Sequence, residues 1–211
     1  MLSEILENIS WLGHDSFLIK ADGKTIIIDP YQIPGGEQAD IILITHDHYD
    51  HCSPEDVAKI QGDTTVLVTE KASAKKLSGD VRTMQPGESL EVAGVTIEAV
   101  PAYNTNKKFH PKKNNWLGFI INVGGCRIYH AGDTDLIDEM ADLKDIDIAL
   151  LPVSGTYVMT AEEAVAAAML IKPKVAIPMH YDSLVGTRQD AEHFADKLTG
   201  VCEVKIFGAK G

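Results

Sequence analysis

The sequence contains little cysteine, no long apolar run and fewer positive than negative charges. Its three cysteines, Cys52, Cys126 and Cys202, are an odd number without a Cys-x-x-Cys pair, which argues against a disulfide framework and favours free thiols in a reducing compartment. No run reaches the roughly eighteen uncharged apolar residues of a membrane span. Because residues 1–11 also lack the basic start and apolar run of a signal peptide, we expect a cytoplasmic protein.

Positive charge is also scarce. The 211 residues include 19 Lys and Arg against 31 Asp and Glu, a formal net charge of −12. An acidic surface repels the phosphate backbone, so the composition disfavours nucleic-acid partners. We found no linker, low-complexity tract or internal repeat, which predicts one domain over residues 1–211.

Short β-rich runs alternate with helical patterns along the chain. The predicted strands are 16–20, 25–28, 41–44, 65–69, 95–100, 116–123, 127–130, 148–152 and 175–178. The predicted helices are 54–60, 72–77, 136–143, 160–171 and 191–198. Thr160 and Glu163 form the pattern of a capping box. Several strands are apolar at every position, which predicts sheets covered on both faces.

A dense group of metal-ligand residues follows the buried strand 41–44. His46, His48, Asp50 and His51 lie within six residues, and imidazole and carboxylate are ligands that zinc and related metals accept. Alternate residues His46 and His48 can point to one side while Asp50 and His51 turn to another, which would hold two adjacent ions. A polar loop with incidental histidines and a structural zinc are the alternatives. Structural zinc sites favour cysteine-rich shells, which are missing here.

This His-x-His-x-Asp-His loop resembles the hallmark of the metallo-β-lactamase superfamily. Further motifs occur in the same order as in that family: Trp-Leu-Gly-His at 11–14, Asp-Pro at 29–30, Tyr-His-Ala-Gly-Asp-Thr at 129–134 and Pro-Met-His-Tyr at 178–181. Together they are most similar to the small predicted metal-dependent hydrolases of its lactonase-like branch. The resemblance implies an α+β fold, an αββα four-layer sandwich with a dinuclear site at one edge of the sheets.

The resemblance also implies a ligand set. His46 and His48 would bind the first metal, Asp50, His51 and His180 the second, and Asp133 would bridge them. Two Zn²⁺ ions per chain are expected, with Mn²⁺ or Fe²⁺ as alternatives.

One ligand departs from the family pattern. A third histidine for the first metal is expected just after strand 95–100, where the sequence has Asn104 instead. His110 follows six residues later in the polar segment 104–115. We expect His110 to supply the missing ligand, with Asn104 or a water as the alternatives.

Other polar residues near these motifs have candidate supporting roles. Asp29 is expected to orient a ligand histidine or loop amides, and His130 to pack beside Asp133. For His14, a contact with substrate or with a ligand and a purely structural role remain open. Tyr103 and Tyr181 could donate their hydroxyls to a substrate, although a tyrosine at a strand end more often packs with a solvated hydroxyl.

The predicted function is hydrolysis of an ester, lactone or phosphoester bond in a small molecule. Two divalent ions activate a bridging water at neutral pH, and Asp50 and Asp133 are the carboxylates expected to hold that water and the ions. Four lysines in the polar segment either belong to a solvated surface loop or favour an anionic substrate: Lys107, Lys108, Lys112 and Lys113.

Three other functions are compatible with the motifs. A non-catalytic, metal-dependent binding or regulatory domain would explain the displaced third histidine. RNA processing is disfavoured by the negative charge. Iron redox chemistry is disfavoured because the diiron branch of the family has glutamate where this chain has His48. The sequence makes no prediction of oligomeric state.

Overall fold

Two β-sheets, one from each half of the chain, pack face to face. The computed structural model describes residues 2–208. The first half contains α1 (Leu2–Glu7), β1 (Ile9–Gly13), β2 (Ser16–Ala21), β3 (Lys24–Ile28), β4 (Ala39–Leu43), α2 (Pro54–Ala58), β5 (Gln61–Thr69), α3 (Lys71–Ala74) and β6 (Asp80–Thr83). The second half contains β7 (Ser89–Val92), β8 (Val95–Pro101), β9 (Leu117–Val123), β10 (Cys126–His130), β11 (Ile148–Pro152), α4 (Ala161–Ile171), β12 (Val175–Met179), α5 (Arg188–Lys197) and β13 (Glu203–Val204).

The two sheets have related topologies. The first has the order β1-β2-β3-β4-β5-β6, and the second has the order β13-β12-β11-β10-β9-β8-β7. In each, strands early in the chain pair antiparallel, while β3 to β6 and β10 to β13 pair in parallel. Parallel strands end at a common edge of their sheet, and the predicted site residues follow these strands.

Alternating side chains of each strand cover the two faces of the first sheet. Ile41 and Leu43 of β4 join the main core between the sheets, whereas Ile42 packs with Val57 of α2 in a smaller outer cluster. In the second sheet every residue of β11 is buried. This confirms the expected αββα sandwich, in which each all-apolar strand is covered on both faces.

The predicted strands are all present, with small shifts at their ends, and the predicted helices differ more. The Thr160 hydroxyl accepts from the Glu163 amide at 3.1 Å and the Glu163 carboxylate accepts from the Thr160 amide at 2.8 Å, which confirms the capping box that begins α4. The helix predicted at 136–143 is wrong: only a 3₁₀ turn, Asp138–Asp142, forms, and Ile137 at its start has no side-chain acceptor to cap it. Within residues 2–208, no helix is long and apolar enough to cross a membrane.

Candidate metal centre

The buried carboxylate of Asp29 holds the loop that follows β4. Asp29 lies directly after β3 with φ +42°. Its Oδ1 accepts from the Thr45 amide at 2.8 Å, and its Oδ2 accepts from the Thr45 hydroxyl at 2.6 Å. The same Oδ2 lies 2.8 Å from His51 Nδ1. One side chain therefore fixes both ends of the segment 45–51 and the ring of His51.

A first cluster consists of three histidines. The candidate ligand atoms of His46, His48 and His110 lie within 4.8 Å of one another, and His46 Nε2 is 3.0 Å from His48 Nδ1. The Trp116 ring packs beside all three, with centroid distances of 4.7 to 5.4 Å. Burial, followed by the neighbouring His51, lowers the pKa of His46, and burial, followed by His110, lowers that of His48. Both imidazoles are therefore neutral at pH 7, the form in which histidine binds metals.

Asn104 orients His110 rather than occupying the cluster itself. Its Oδ1 accepts from the His110 backbone amide at 2.9 Å and lies 3.1 Å from His110 Nδ1. Its Nδ2 donates to the carbonyl of Tyr157 at 2.9 Å and to Asp135 at 3.1 Å. The structure thus brings His110, and not Asn104, beside His46 and His48.

A second cluster adjoins the first through Asp133. Asp133 Oδ1 lies 3.5 Å from His51 Nε2, and its Oδ2 lies 3.5 Å from His180 Nε2 and 3.0 Å from His110 Nε2. Burial alone would raise the pKa of Asp133, but His51 and His180 outweigh it and hold the pKa well below its usual range. Asp133 is therefore an anion that contacts histidines of both clusters.

In His51, His110 and His180, the Nδ1 atom of each ring has a hydrogen-bond partner on the protein, and the Nε2 atom points toward the clusters. Nδ1 of His51, His110 and His180 contacts Asp29, Asn104 and the Ser154 hydroxyl, respectively. Nε2 of His51 and His180, and Oδ1 of Asp133, are buried without a hydrogen-bond partner among residues 2–208, and the buried Nε2 of His110 lies 3.0 Å from Asp133 Oδ2. A buried polar atom without a partner is costly, so these three atoms, on residues whose ligand atoms lie within 4.8 Å of one another, fit a bound cation.

The mouth of the site is a cleft of about 420 Å³. His48, Asp50, His110 and Asp133 form its floor. Apolar and aromatic side chains form its rim: Tyr49, Phe109, Tyr157, Leu184 and Val185. Tyr49 is 67% and Phe109 52% exposed, so the surface around the site is largely apolar.

Comparison with known proteins supports the interpretation of this site. A family model described as "Beta-lactamase superfamily domain" matches residues 8–180. The chain belongs to the metallo-β-lactamase superfamily. It is 34% identical to a UPF0173 metal-dependent hydrolase of Pyrobaculum arsenaticum, over 96% of both chains. Its relatives identify this superfamily member as a metal-dependent hydrolase.

Solved structures agree on the fold. A predicted metal-dependent hydrolase from Parabacteroides distasonis matches with a TM-score of 0.85 and 38% identity, covering 94% of this chain and 91% of that one. Igni18, a metallo hydrolase from Ignicoccus hospitalis, matches with a TM-score of 0.79 and 26% identity, covering 96% and 95%. The expected metallo-β-lactamase fold is thereby confirmed.

His14 and Asp50 contact each other beside the second cluster. Nε2 of His14 lies 3.2 Å from Oδ2 of Asp50, which is itself 3.9 Å from His51 Nε2. Burial would raise the pKa of Asp50, but the hydrogen bond from His14 and the charges of His51 and His14 together outweigh it and lower the pKa. His14 therefore supports a predicted ligand and keeps it ionised.

The polar atoms of Tyr103, Tyr181 and His130 make hydrogen bonds within the protein, outside the two clusters. The Tyr103 hydroxyl donates to Glu139 at 2.8 Å, and the Tyr181 hydroxyl donates to the Phe207 carbonyl at 2.7 Å. Both hydroxyls already donate within the protein, which favours the packing role over a contact with substrate. His130 Nε2 donates to the Asp15 carbonyl at 2.9 Å, consistent with a packing role.

Two of the four lysines of segment 104–115 pair with carboxylates and do not supply free positive charge. Lys107 lies 2.6 Å from Asp135, and Lys112 lies 2.7 Å from Glu139. Two of the four lysines are thus paired with carboxylates distant in sequence, which weakens the argument for an anionic substrate.

Sequence reasoning missed Asp15. Its carboxylate is fully buried beside His51, Asp133 and His180. Burial and then the Asp133 carboxylate raise its pKa well above the usual range. The available signal was a carboxylate directly after His14 in the short turn between two apolar strands.

Proposed function

We propose that this metal-dependent hydrolase cleaves an ester, lactone or phosphoester bond of a small molecule with the help of two zinc ions. The observation that supports the proposal is a pair of adjacent ligand clusters, His46, His48 and His110 in one and His51 and His180 in the other, with Asp133 in contact with histidines of both. Their number and their mixture of nitrogen and oxygen suit a pair of divalent ions rather than one.

The ligand set combines the two clusters with Asp50, which belongs to neither and whose Oδ2 lies 3.2 Å from His14 Nε2 and 3.9 Å from His51 Nε2. His46, His48 and His110 would hold one ion, Asp50, His51 and His180 the other, and Asp133 both. When bound, such ions supply Lewis-acid activation of water and of the scissile group at neutral pH. Asp29, Asn104 and Ser154 keep the Nε2 lone pairs directed inward by contacting the opposite ring nitrogens.

Asp50 is the carboxylate placed to accept a proton at the mouth of the site. It lines the cleft, and His14 fixes its orientation. Its lowered pKa keeps it unprotonated at pH 7, so it can accept a hydrogen bond from the attacking water. The substrate enters past the apolar rim, where Phe109 and Leu184 would contact an uncharged part of it.

The structure offers no support for the alternative of a non-catalytic binding or regulatory domain. It depended on an incomplete first cluster, and His110 lies beside His46 and His48. The first cluster therefore has three histidines although Asn104 occupies the position where the family has its third histidine.

Elemental analysis of protein purified without added metal tests the proposal. We expect about two zinc ions per wild-type chain and about one in His110→Ala. His193→Ala is the matched control, because His193 lies on α5 and pairs with Glu162, away from both clusters. Wild-type protein with two ions should hydrolyse members of an ester, lactone and phosphodiester panel, and lose that activity with a strong chelator.

Other outcomes would contradict the proposal. One ion per wild-type chain would refute the dinuclear site. Two tightly bound ions without turnover on the panel would refute the hydrolytic role on these bonds. Equal metal loss in His110→Ala and His193→Ala would show that His110 is not a ligand.

A further inference from the structure

Asp15 is a buried carboxylate with no described hydrogen-bond partner. It lies in the turn between β1 and β2, after His14, which has φ +52°. The backbone of the turn is anchored, since His130 donates to the Asp15 carbonyl and Trp11 donates to the His14 carbonyl at 2.7 Å. The side chain is 0% exposed, and among residues 2–208 neither carboxylate oxygen has a donor.

The atoms nearest to this carboxylate also lack partners. A carboxylate oxygen of Asp15 lies within 4.8 Å of the ligand atoms of His51, Asp133 and His180, which are themselves within 4.8 Å of one another. His51 Nε2, His180 Nε2 and Asp133 Oδ1 are all buried and unpartnered. Asp15 therefore completes a group of four candidate ligands, two imidazoles and two carboxylates.

Another buried aspartate shows how unusual this arrangement is. Asp56 is 5% exposed, and its carboxylate accepts from the amides of Gln32 and Ile33, from the Ser53 hydroxyl and from Lys59. Asp15 has none of these donors and faces a second carboxylate, Asp133. Burying an uncompensated carboxylate costs several kcal/mol, so such a group needs a cation or a proton.

We propose that Asp15 is an additional carboxylate ligand of the metal ion held by His51, Asp133 and His180. The inference rests on the metal centre of the proposed function. Asp50 lines the cleft, whereas Asp15 is fully buried, so Asp15 would be the carboxylate ligand shielded from solvent.

This assignment makes the two metal positions chemically different. The first has the imidazoles of His46, His48 and His110, whereas the second has two imidazoles and the carboxylates of Asp15, Asp50 and Asp133. Oxygen ligands favour harder ions such as Mn²⁺, and imidazoles favour Zn²⁺. We therefore expect Mn²⁺ to compete with Zn²⁺ mainly at the second position.

Asp15→Asn removes the charge while keeping the shape of the side chain. Stripped protein is reloaded with Co²⁺, Zn²⁺ or Mn²⁺, and ion number and affinity are measured by chelator competition. We expect affinity for one of the two ions to fall at least about tenfold, by comparison with the loss of groups that support a metal site. The visible absorption of one bound Co²⁺ should change, and the preference of the second position for Mn²⁺ should decrease.

Thermal unfolding gives a readout that does not depend on activity. Stripped Asp15→Asn should melt above stripped wild type, because a buried unpaired carboxylate is replaced by a neutral amide, and metal should raise its Tm less. The matched control is Asp56→Asn, which should melt below wild type and bind both ions normally. If Asp15→Asn does not fold, Asp15→Glu should retain two Co²⁺ ions with a shifted spectrum.

The outcomes separate this inference from the proposed function. Two ions in Asp15→Asn with wild-type affinity and an unchanged Co²⁺ spectrum would overturn the role of Asp15 and leave the dinuclear site intact. An unchanged spectrum in Asp15→Glu would overturn it as well. Failure of wild type to bind a second ion would refute the dinuclear site itself.

Discussion

Replacing Asp29 with asparagine should weaken metal binding although Asp29 is not itself a predicted ligand. Asparagine keeps one oxygen, which can still accept from the Thr45 amide; in the wild type this amide lies 2.8 Å from Oδ1. An NH2 group replaces the other oxygen and cannot accept from the Thr45 hydroxyl or from His51 Nδ1. In the wild type these atoms lie 2.6 and 2.8 Å from Oδ2. The variant would thus lose two of three hydrogen bonds in a fully buried place.

The tautomer of His51 decides the effect on metal. An amide donor facing Nδ1 places the His51 proton on Nε2, which would then point at Asp133 from 3.5 Å. That nitrogen could no longer offer a lone pair to an ion. Loss of such a supporting group typically costs about 10- to 100-fold in metal affinity, or about 1.4 to 2.7 kcal/mol. The two lost hydrogen bonds should lower the free energy of unfolding of stripped protein by about 2 to 4 kcal/mol.

Chelator competition and urea unfolding of stripped protein measure the two effects separately. Asp56→Asn again serves as the control, because it removes a buried carboxylate of similar hydrogen bonding from α2, and it should lose stability while keeping metal affinity. If Asp29→Asn binds both ions as tightly as wild type, the tautomer argument fails. If its stripped form is as stable as wild type, Asp29 does not carry the loop as its contacts indicate.

Two further predictions concern the support and the mouth of the site. Gly132 has φ +62°, and an added Cβ would lie 2.7 Å from the Leu117 carbonyl oxygen, so Gly132→Ala should lose about 2 to 4 kcal/mol of stability in urea unfolding. A loss below about 1 kcal/mol would contradict the clash. Phe109→Ala should raise KM for substrates with an aryl or long acyl group roughly tenfold, about 1.4 kcal/mol of apolar contact, and leave KM for short acyl substrates nearly unchanged. An equal rise for both would show that the rim does not contact the substrate.

The parts of the fold that were predicted from sequence are those with a strong local pattern. The apolar run of β4 and the capping box of α4 depend on residues that are close in the chain, and both were found. The strands β1, β6, β7 and β13 were missed. Of these, β6, β7 and β13 are short and largely exposed, with burial and polarity that resemble a loop. The 3₁₀ turn at Asp138–Asp142 was mistaken for a helix because its apolar spacing was helical, while its start lacks a capping side chain.

The same distinction applies to the site. His46, His48, Asp50 and His51 were identified because one loop carries them all. His110 was chosen because it was the remaining histidine near the expected position, and the contact that brings it into place comes from Asn104, six residues away.

The sequence does not show which charged residues are paired by residues far away in the chain, and this led to two errors. The lysines of segment 104–115 were read as free charge, but Lys107 is neutralised by Asp135, 28 residues later. Asp15 drew no attention, although its turn is fixed by His130, 115 residues later. The spatial neighbours of a charged residue decide whether its charge is available to a ligand. Lys107 has a partner and Asp15 has none among the described residues, so burial without a partner, rather than charge in the sequence, marks the functional group here.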